Sequence, residues 1–185
     1  MAMTTIRPEL PRLALIGFSF LALIIATYFL QGIPSAGATP TNHVIYDDAL
    51  HWDNWSWNTT ASSVTSPKFA GSHSLSVKYN AAWAGLSLHN SGFNTAGFTH
   101  LKFAILPSGS TLPNIDVALY NTADVPIKYV KLSAYATAAG GGWYTVSIPL
   151  ADLGGANTTI TRVELEEGAG AAQPIFHIDD LKFVG

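Results

Sequence analysis

Along most of this chain apolar and polar residues alternate one for one, in short runs broken by glycine, proline and asparagine. No other feature constrains the fold as much, because a period of two puts successive side chains on opposite faces of an extended strand. Leu75, Val77 and Tyr79 share one face of a run beginning at Ser74, and Leu101, Phe103 and Ile105 lie opposite His100, Lys102 and Ala104. Ile115, Val117 and Leu119 make a third row, and Tyr144, Val146 and Ile148 a fourth. Val163 and Leu165 alternate with Arg162, Glu164 and Glu166. A first strand is expected at 44–46 and a last over 175–184. Turn signals fall between these runs at Pro67, Gly71, 90–92, 107–109, 140–142, 154–155 and 168–170. Eight to ten short strands with such turns predict an all-β fold, an antiparallel sandwich of jelly-roll type. Outside the N-terminus the one helical expectation is a single turn over 149–154, and 134–142 reads as a small-residue loop.

The first 38 residues follow a different rule. Arg7 and Arg12 precede an uncharged apolar run over 13–33, and Ala36-Gly37-Ala38 supplies a small-x-small cleavage site. The segment reads as an export signal that is either cleaved or kept as an anchor, since its length approaches the roughly 20 residues that span a bilayer. In both cases the basic flank stays inside and the rest lies outside the cytoplasm, secreted or membrane-anchored. Residues 39–42 read as a linker and 43–185 as one β-sandwich domain, long enough to bury a core unaided. There is no cysteine, which excludes disulfides, zinc-thiolate sites and thiol nucleophiles. Only 11% of residues are charged and the net charge is −3, so no basic stripe exists for nucleic acid. Ser, Thr, Asn and Gly dominate the polar surface, a composition suited to neutral glycans.

Nothing points to catalysis. Glu164, Glu166 and Glu167 read as a solvated strand face, and no second carboxylate is placed to face one of them as glycoside hydrolysis would require. The histidines lack metal spacing, and no serine sits in a nucleophile elbow. The chain is expected not to be an enzyme.

Two Asp-Asp pairs remain, one after the first strand (Asp47-Asp48) and one in the last (Asp179-Asp180). End strands lying side by side would bring Asp48 near Asp179, where two carboxylates repel and a cation resolves the conflict. Calcium takes six to eight oxygens from carboxylates and carbonyls, and the turn containing Gly71 could add carbonyls. The alternative leaves Asp47 and Asp180 facing water and the others capping turns. Three tryptophans crowd the stretch Tyr46-Asp47-Asp48-Ala49-Leu50-His51-Trp52-Asp53-Asn54-Trp55-Ser56-Trp57. Core is the default for Trp57 and Trp83. Trp52 and Trp55 lie in a polar loop where burial is less assured, and Trp143, after three glycines, is either exposed or covers a sheet edge. An exposed indole among Asn54, Ser56 and Asn58, or Trp83 with His89 and Asn90 just beyond it, suits stacking on a neutral sugar.

These motifs together resemble a known family. Tyr-Asp-Asp-Ala-Leu, Trp-Ser-Trp, Gly71-Ser72-His73-Ser74-Leu75, Trp83-Ala84-Gly85-Leu86-Ser87-Leu88, the run from Trp143 to Leu150 and Ile178-Asp179-Asp180-Leu181 look like the calcium-containing β-jelly-roll carbohydrate-binding modules appended to bacterial glycoside hydrolases. The resemblance covers 43–185. It implies a sandwich with a structural calcium near the termini, held at Gly71 and its neighbours and at Asp179, and a glycan site on a concave face or loop edge. The expected reading is therefore an exported, non-catalytic protein that binds a neutral polysaccharide through Trp52, Trp55, Trp83 and His89, with calcium at Asp48, Gly71 and Asp179. The alternative is a structural cell-surface, filament or adhesin protein that uses the same sandwich for self-assembly or other protein contacts. A concave face with exposed aromatics favours the first, and an open edge strand or apolar patch the second.

Overall fold

The alternating rows become strands where the pattern places them. In a computed structural model describing residues 41–185, twelve strands build two antiparallel sheets that pack face to face. The expected export segment lies outside the described residues. Among the described residues no helix is long and apolar enough to cross a membrane.

The larger sheet has the order β3 (Thr59–Val64), β4 (Ser74–Tyr79), β12 (Phe176–Val184), β6 (His100–Pro107), β10 (Trp143–Pro149) and β9 (Ala136–Gly140). β1 (His43–Tyr46) adds to one end of β12, pairing His43 with Phe183 and Tyr46 with Leu181. The smaller sheet runs β2 (Asp53–Asn54), β5 (Gly85–Asn94), β11 (Thr159–Glu167), β7 (Ile115–Asn121) and β8 (Pro126–Lys131). The first and last strands are neighbours, as the two Asp pairs suggested.

The core lies between the sheets. Leu75, Val77, Tyr79, Leu101, Phe103, Ile105, Val146 and Ile148 point inward from the larger sheet, and Leu86, Leu88, Val117, Leu119, Val163 and Leu165 from the smaller. Removing each such side chain from water contributes about 1.5–3 kcal/mol. The Tyr79 hydroxyl donates 2.5 Å to the Leu165 carbonyl, a hydrogen bond from one sheet to the other.

More strands form than the alternation predicts, because β2, β3 and β9 are short or made of small polar residues. They sit at sheet edges (β2, β3 and β9 each pair on one side), where a row of large apolar side chains is not needed. Residues 134–142 are thus no free loop: Ala136–Gly140 pairs with β10. The turn expected over 149–154 does close, with the Leu153 amide reaching the Pro149 carbonyl.

Candidate functional site

The outer face of the smaller sheet is built by the residues that alternate with its core rows. Ser87 and His89 on β5 face Glu164 and Arg162 on β11, which in turn face Ala118 and Tyr120 on β7. The chain enters this sheet through β2, where the Trp55 amide donates to the Ser87 carbonyl at 2.9 Å. That bond sets the Trp55 indole flat on the His89 ring, with centroids 3.5 Å apart and planes within 5°. Trp55 remains 51% exposed, so its other face is open. The Arg162 guanidinium carbon lies 5.7 Å from the Trp55 ring centroid and 4.6 Å from that of Tyr120, within cation–π range of both.

Beneath this aromatic layer lies a polar network. The Tyr120 hydroxyl donates to Glu164 Oε1 at 2.8 Å and sits 3.1 Å from the Tyr129 hydroxyl. Arg162 bonds Asp124, and its Nη1 is 3.7 Å from Glu164 Oε2. Burial, reinforced by the Glu166 charge, pushes the Glu164 carboxyl from 4.5 up to about 7. Four buried polar atoms on this face, Ser87 Oγ, His89 Nδ1, Arg162 Nε and Glu164 Oε2, have no hydrogen-bond partner among the described residues. Buried polar atoms are nearly always paired, so the four orphans mark a network beneath the aromatic layer that ordered water or a shifted side chain would complete.

The glutamates expected on a solvated face are corrected here. Glu164 and Glu167 are fully buried. Although burial raises its pKa, Glu167 is held below the ordinary value by donors from Gln173 and the amides of Ala169, Trp83 and Gly170. Glu167 thereby fixes the turn that carries Trp83.

The tryptophans separate cleanly. Trp52 is only 5% exposed, which corrects its expected place among ligand-binding residues. It packs on Phe93 and Phe183 at the end of the sandwich and donates to His43 Nε2 at 3.1 Å. Trp83 is not core: it is 59% exposed in a left-handed turn at φ +58°. Trp57, half-buried, braces the Trp83 turn, its Nε1 donating to the Trp83 carbonyl at 2.6 Å while its ring lies over Gly85, where any Cβ would collide with it. Neither Arg162 nor Tyr120 nor Tyr129 was anticipated. The outward phase of β7, β8 and β11 marks them, but only the pairing register brings them together on the face that carries Trp55.

At the other side of the molecule, Asp48 and Asp179 do meet one loop. Asp48 Oδ1 accepts the amides of Ser72 and His73 at 2.6 and 2.8 Å, and Asp179 Oδ2 those of Phe69 and Ala70 at 2.7 and 3.0 Å. The amides of Ser72 and His73 hold Asp48 ionised, below the ordinary aspartate value. Gly71 (φ +55°) is required in this loop, because a side chain there would strike the Asp48 carboxylate. Asp47, Asp48, Asp179 and Asp180 line a cavity of about 240 Å³ with Ala70 and Gly71. Asp47 caps its own turn and Asp180 holds Lys182 at 2.8 Å. The loop thus turns amides, rather than the expected carbonyls, toward the two carboxylates. Among the described residues no three His, Asp or Glu side chains converge on one point. The donor set is all oxygen, which fits a hard cation such as calcium in kind. Any such ion would draw part of its shell from backbone.

No protein-family model and no curated protein sequence matches the chain. Solved structures do match its fold, among them family 30 and family 11 carbohydrate-binding modules of bacterial cellulosomal enzymes. The family 30 module of a cellulosomal cellulase of Clostridium thermocellum superposes with a TM-score of 0.65 at 15% identity, over 79% of this chain and 98% of that one. The family 11 module of the same organism, in complex with a β-1,3-1,4-mixed-linked tetrasaccharide, gives 0.53 at 16% identity, over 79% and 97%. A β-1,2-glucanase from Parabacteroides distasonis gives 0.58 at 17% identity, over 78% of this chain but 25% of that chain. At such identities the likeness is one of fold.

Proposed function

We propose that this is a non-catalytic glycan-binding protein, exported from the cytoplasm, whose binding surface is the outer face of the smaller sheet. The observation that carries this reading is Trp55: an indole with one face braced on His89 and the other open, amid four unpartnered polar atoms. A sugar ring offers a C–H face to stack and hydroxyls that both donate and accept, and the face supplies both kinds of contact. Glu164 Oε1 is taken up by Tyr120 and Asp124 by Arg162, which supports binding rather than hydrolysis. The fold shared with modules named for carbohydrate binding supports the same reading, and the mixed-linked tetrasaccharide of the family 11 neighbour suggests the first probe.

The face carries more charge than a purely neutral stacking site, since Arg162 and Glu164 lie under it. Their bonds to each other's neighbours leave it able to take a neutral, hydroxyl-rich chain. Calcium belongs to the proposal as a structural ion held by Asp48 and Asp179 beside the loop around Gly71. Its two charges would offset those of Asp48 and Asp179. The test is affinity electrophoresis of the full chain in mixed-linked β-glucan and other soluble polysaccharides: wild type should be retarded and Trp55→Ala should not. Loss of binding to every glycan would leave the exposed Val125 and Tyr129 of this region available for protein contacts instead.

A further inference from the structure

On the side of the sandwich away from Trp55, a second concavity adjoins the Asp48–Asp179 cavity and shares Asp180 with it. A groove of about 440 Å³ runs over the outer face of the larger sheet, lined among others by Phe69, Lys102, Thr145, Ser147, Asp180 and Lys182. That volume lies in the range of small-molecule sites. Its floor breaks a rule of sheet design. Lys102 on β6 and Lys182 on β12 are direct cross-strand partners, and like charges placed so destabilise a pair. The register shift between Asp179 and Lys182 bulges β12 here and puts Asp180 at φ +52°, and its carboxylate lies 2.8 Å from Lys182 Nζ. Lys102 has no acidic partner among the described residues. Two ammonium groups and one carboxylate leave a single positive charge on the groove floor.

We propose that this groove binds an acidic sugar, a pyranose bearing one carboxylate. The carboxylate matches the uncompensated charge at Lys102, beside Lys182. The hydroxyls of Thr145 and Ser147 and the carboxylate of Asp180 suit the sugar's hydroxyls. Phe69, 40% exposed, offers an apolar wall to the C–H face of the ring. Polar walls and an aromatic wall distinguish this groove from a simple anion site, which would need only the charges. It is independent of the Trp55 face, on the other sheet.

The test titrates the full chain with tri-galacturonate and with the same trisaccharide as its methyl ester, which removes charge and keeps the polyol. The acid should bind, and the ester should bind at least about tenfold more weakly, the loss expected for one hydrogen bond to a charged group. Lys102→Gln should lose the same factor with a melting temperature no lower than wild type, while Trp55→Ala should bind the acid as wild type does. Raising salt should weaken the acid's binding. Equal binding of acid and ester, binding that Lys102→Gln leaves intact, or no binding of the acid would each overturn the proposal. Loss with Trp55→Ala and not with Lys102→Gln would place the acid on the other face and overturn it equally.

Discussion

Each outer face of the sandwich carries a tryptophan, and the two meet opposite fates. Trp143 on the larger sheet is 7% exposed, because the loop around Phe69 lies against it with ring centroids 5.5 Å apart. Trp55 on the smaller sheet is 51% exposed, flanked by His89 and Arg162 and roofed by neither. The sequence leaves both open, Trp55 in a polar loop and Trp143 either exposed or covering a sheet edge. Whether an outward indole serves as a ligand platform depends on whether a loop is tied down over it. Here the tie is made by Asp48, just after the first strand, and Asp179 in the last, which grip the loop's amides. One face is closed by carboxylates and the other left open with its polar atoms unpaired.

The largest effect expected is at the buried indole nearest to the open one. Trp52→Ala should cost roughly 3–5 kcal/mol by denaturant unfolding, the usual loss for a truncated core aromatic. Trp55→Ala should stay within about 0.5 kcal/mol of wild type, as surface changes do. Equal losses at both positions would erase the distinction between plug and platform.

Breaking the tie on the closed face should come next. Asp179→Ala leaves the amides of Phe69 and Ala70 without their acceptor and should lower the melting temperature while exposing Trp143 to a fluorescence quencher. If calcium sits in that cavity, free ion at a hundredfold excess over its Kd would add roughly 2.7 kcal/mol to wild type. A chelator should then lower the melting temperature of wild type and leave Asp179→Ala unmoved. Identical melting of wild type with and without chelator would assign the stability of this loop to hydrogen bonds alone.

A smaller effect distinguishes the open face by pH. The Glu164 carboxyl is raised from 4.5 to about 7, chiefly by burial, so the folded state holds its proton where the unfolded state has lost it. Such a group favours folding most at low pH, and its contribution falls as pH rises from about 4.5 to about 7, then levels off. Glu164→Gln keeps the neutral form at every pH. The melting-temperature difference between variant and wild type should therefore grow across that interval in the variant's favour, and a constant difference would mean that Glu164 titrates normally. Smallest of all, Trp83→Ala should leave stability within about 0.5 kcal/mol, because its ring is exposed and its turn is held by Glu167.

The strand rows, the core and the meeting of the chain's ends were readable from period and turn residues, because a period of two has one physical meaning in a packed sheet. Asp48, Gly71 and Asp179 were readable as a group because adjacency of the end strands follows from the architecture. The burial of Trp52 was not, since it depends on Phe93 and Phe183, both distant in the chain. Nor were Arg162, Tyr120 and Glu164, whose union beside Trp55 needs the register of β5, β11 and β7. Glu164 and Glu167 looked solvated because glutamates clustered at a strand end usually are, whereas here Tyr120 covers the outward Glu164 and the 168–173 turn covers Glu167.

The open face is tested most directly by one comparison: retention of wild type and Trp55→Ala in a gel containing mixed-linked β-glucan, on samples shown to melt at the same temperature. We expect retardation of the wild type and its loss in the variant. Equal retardation of the two would contradict a binding surface centred on Trp55.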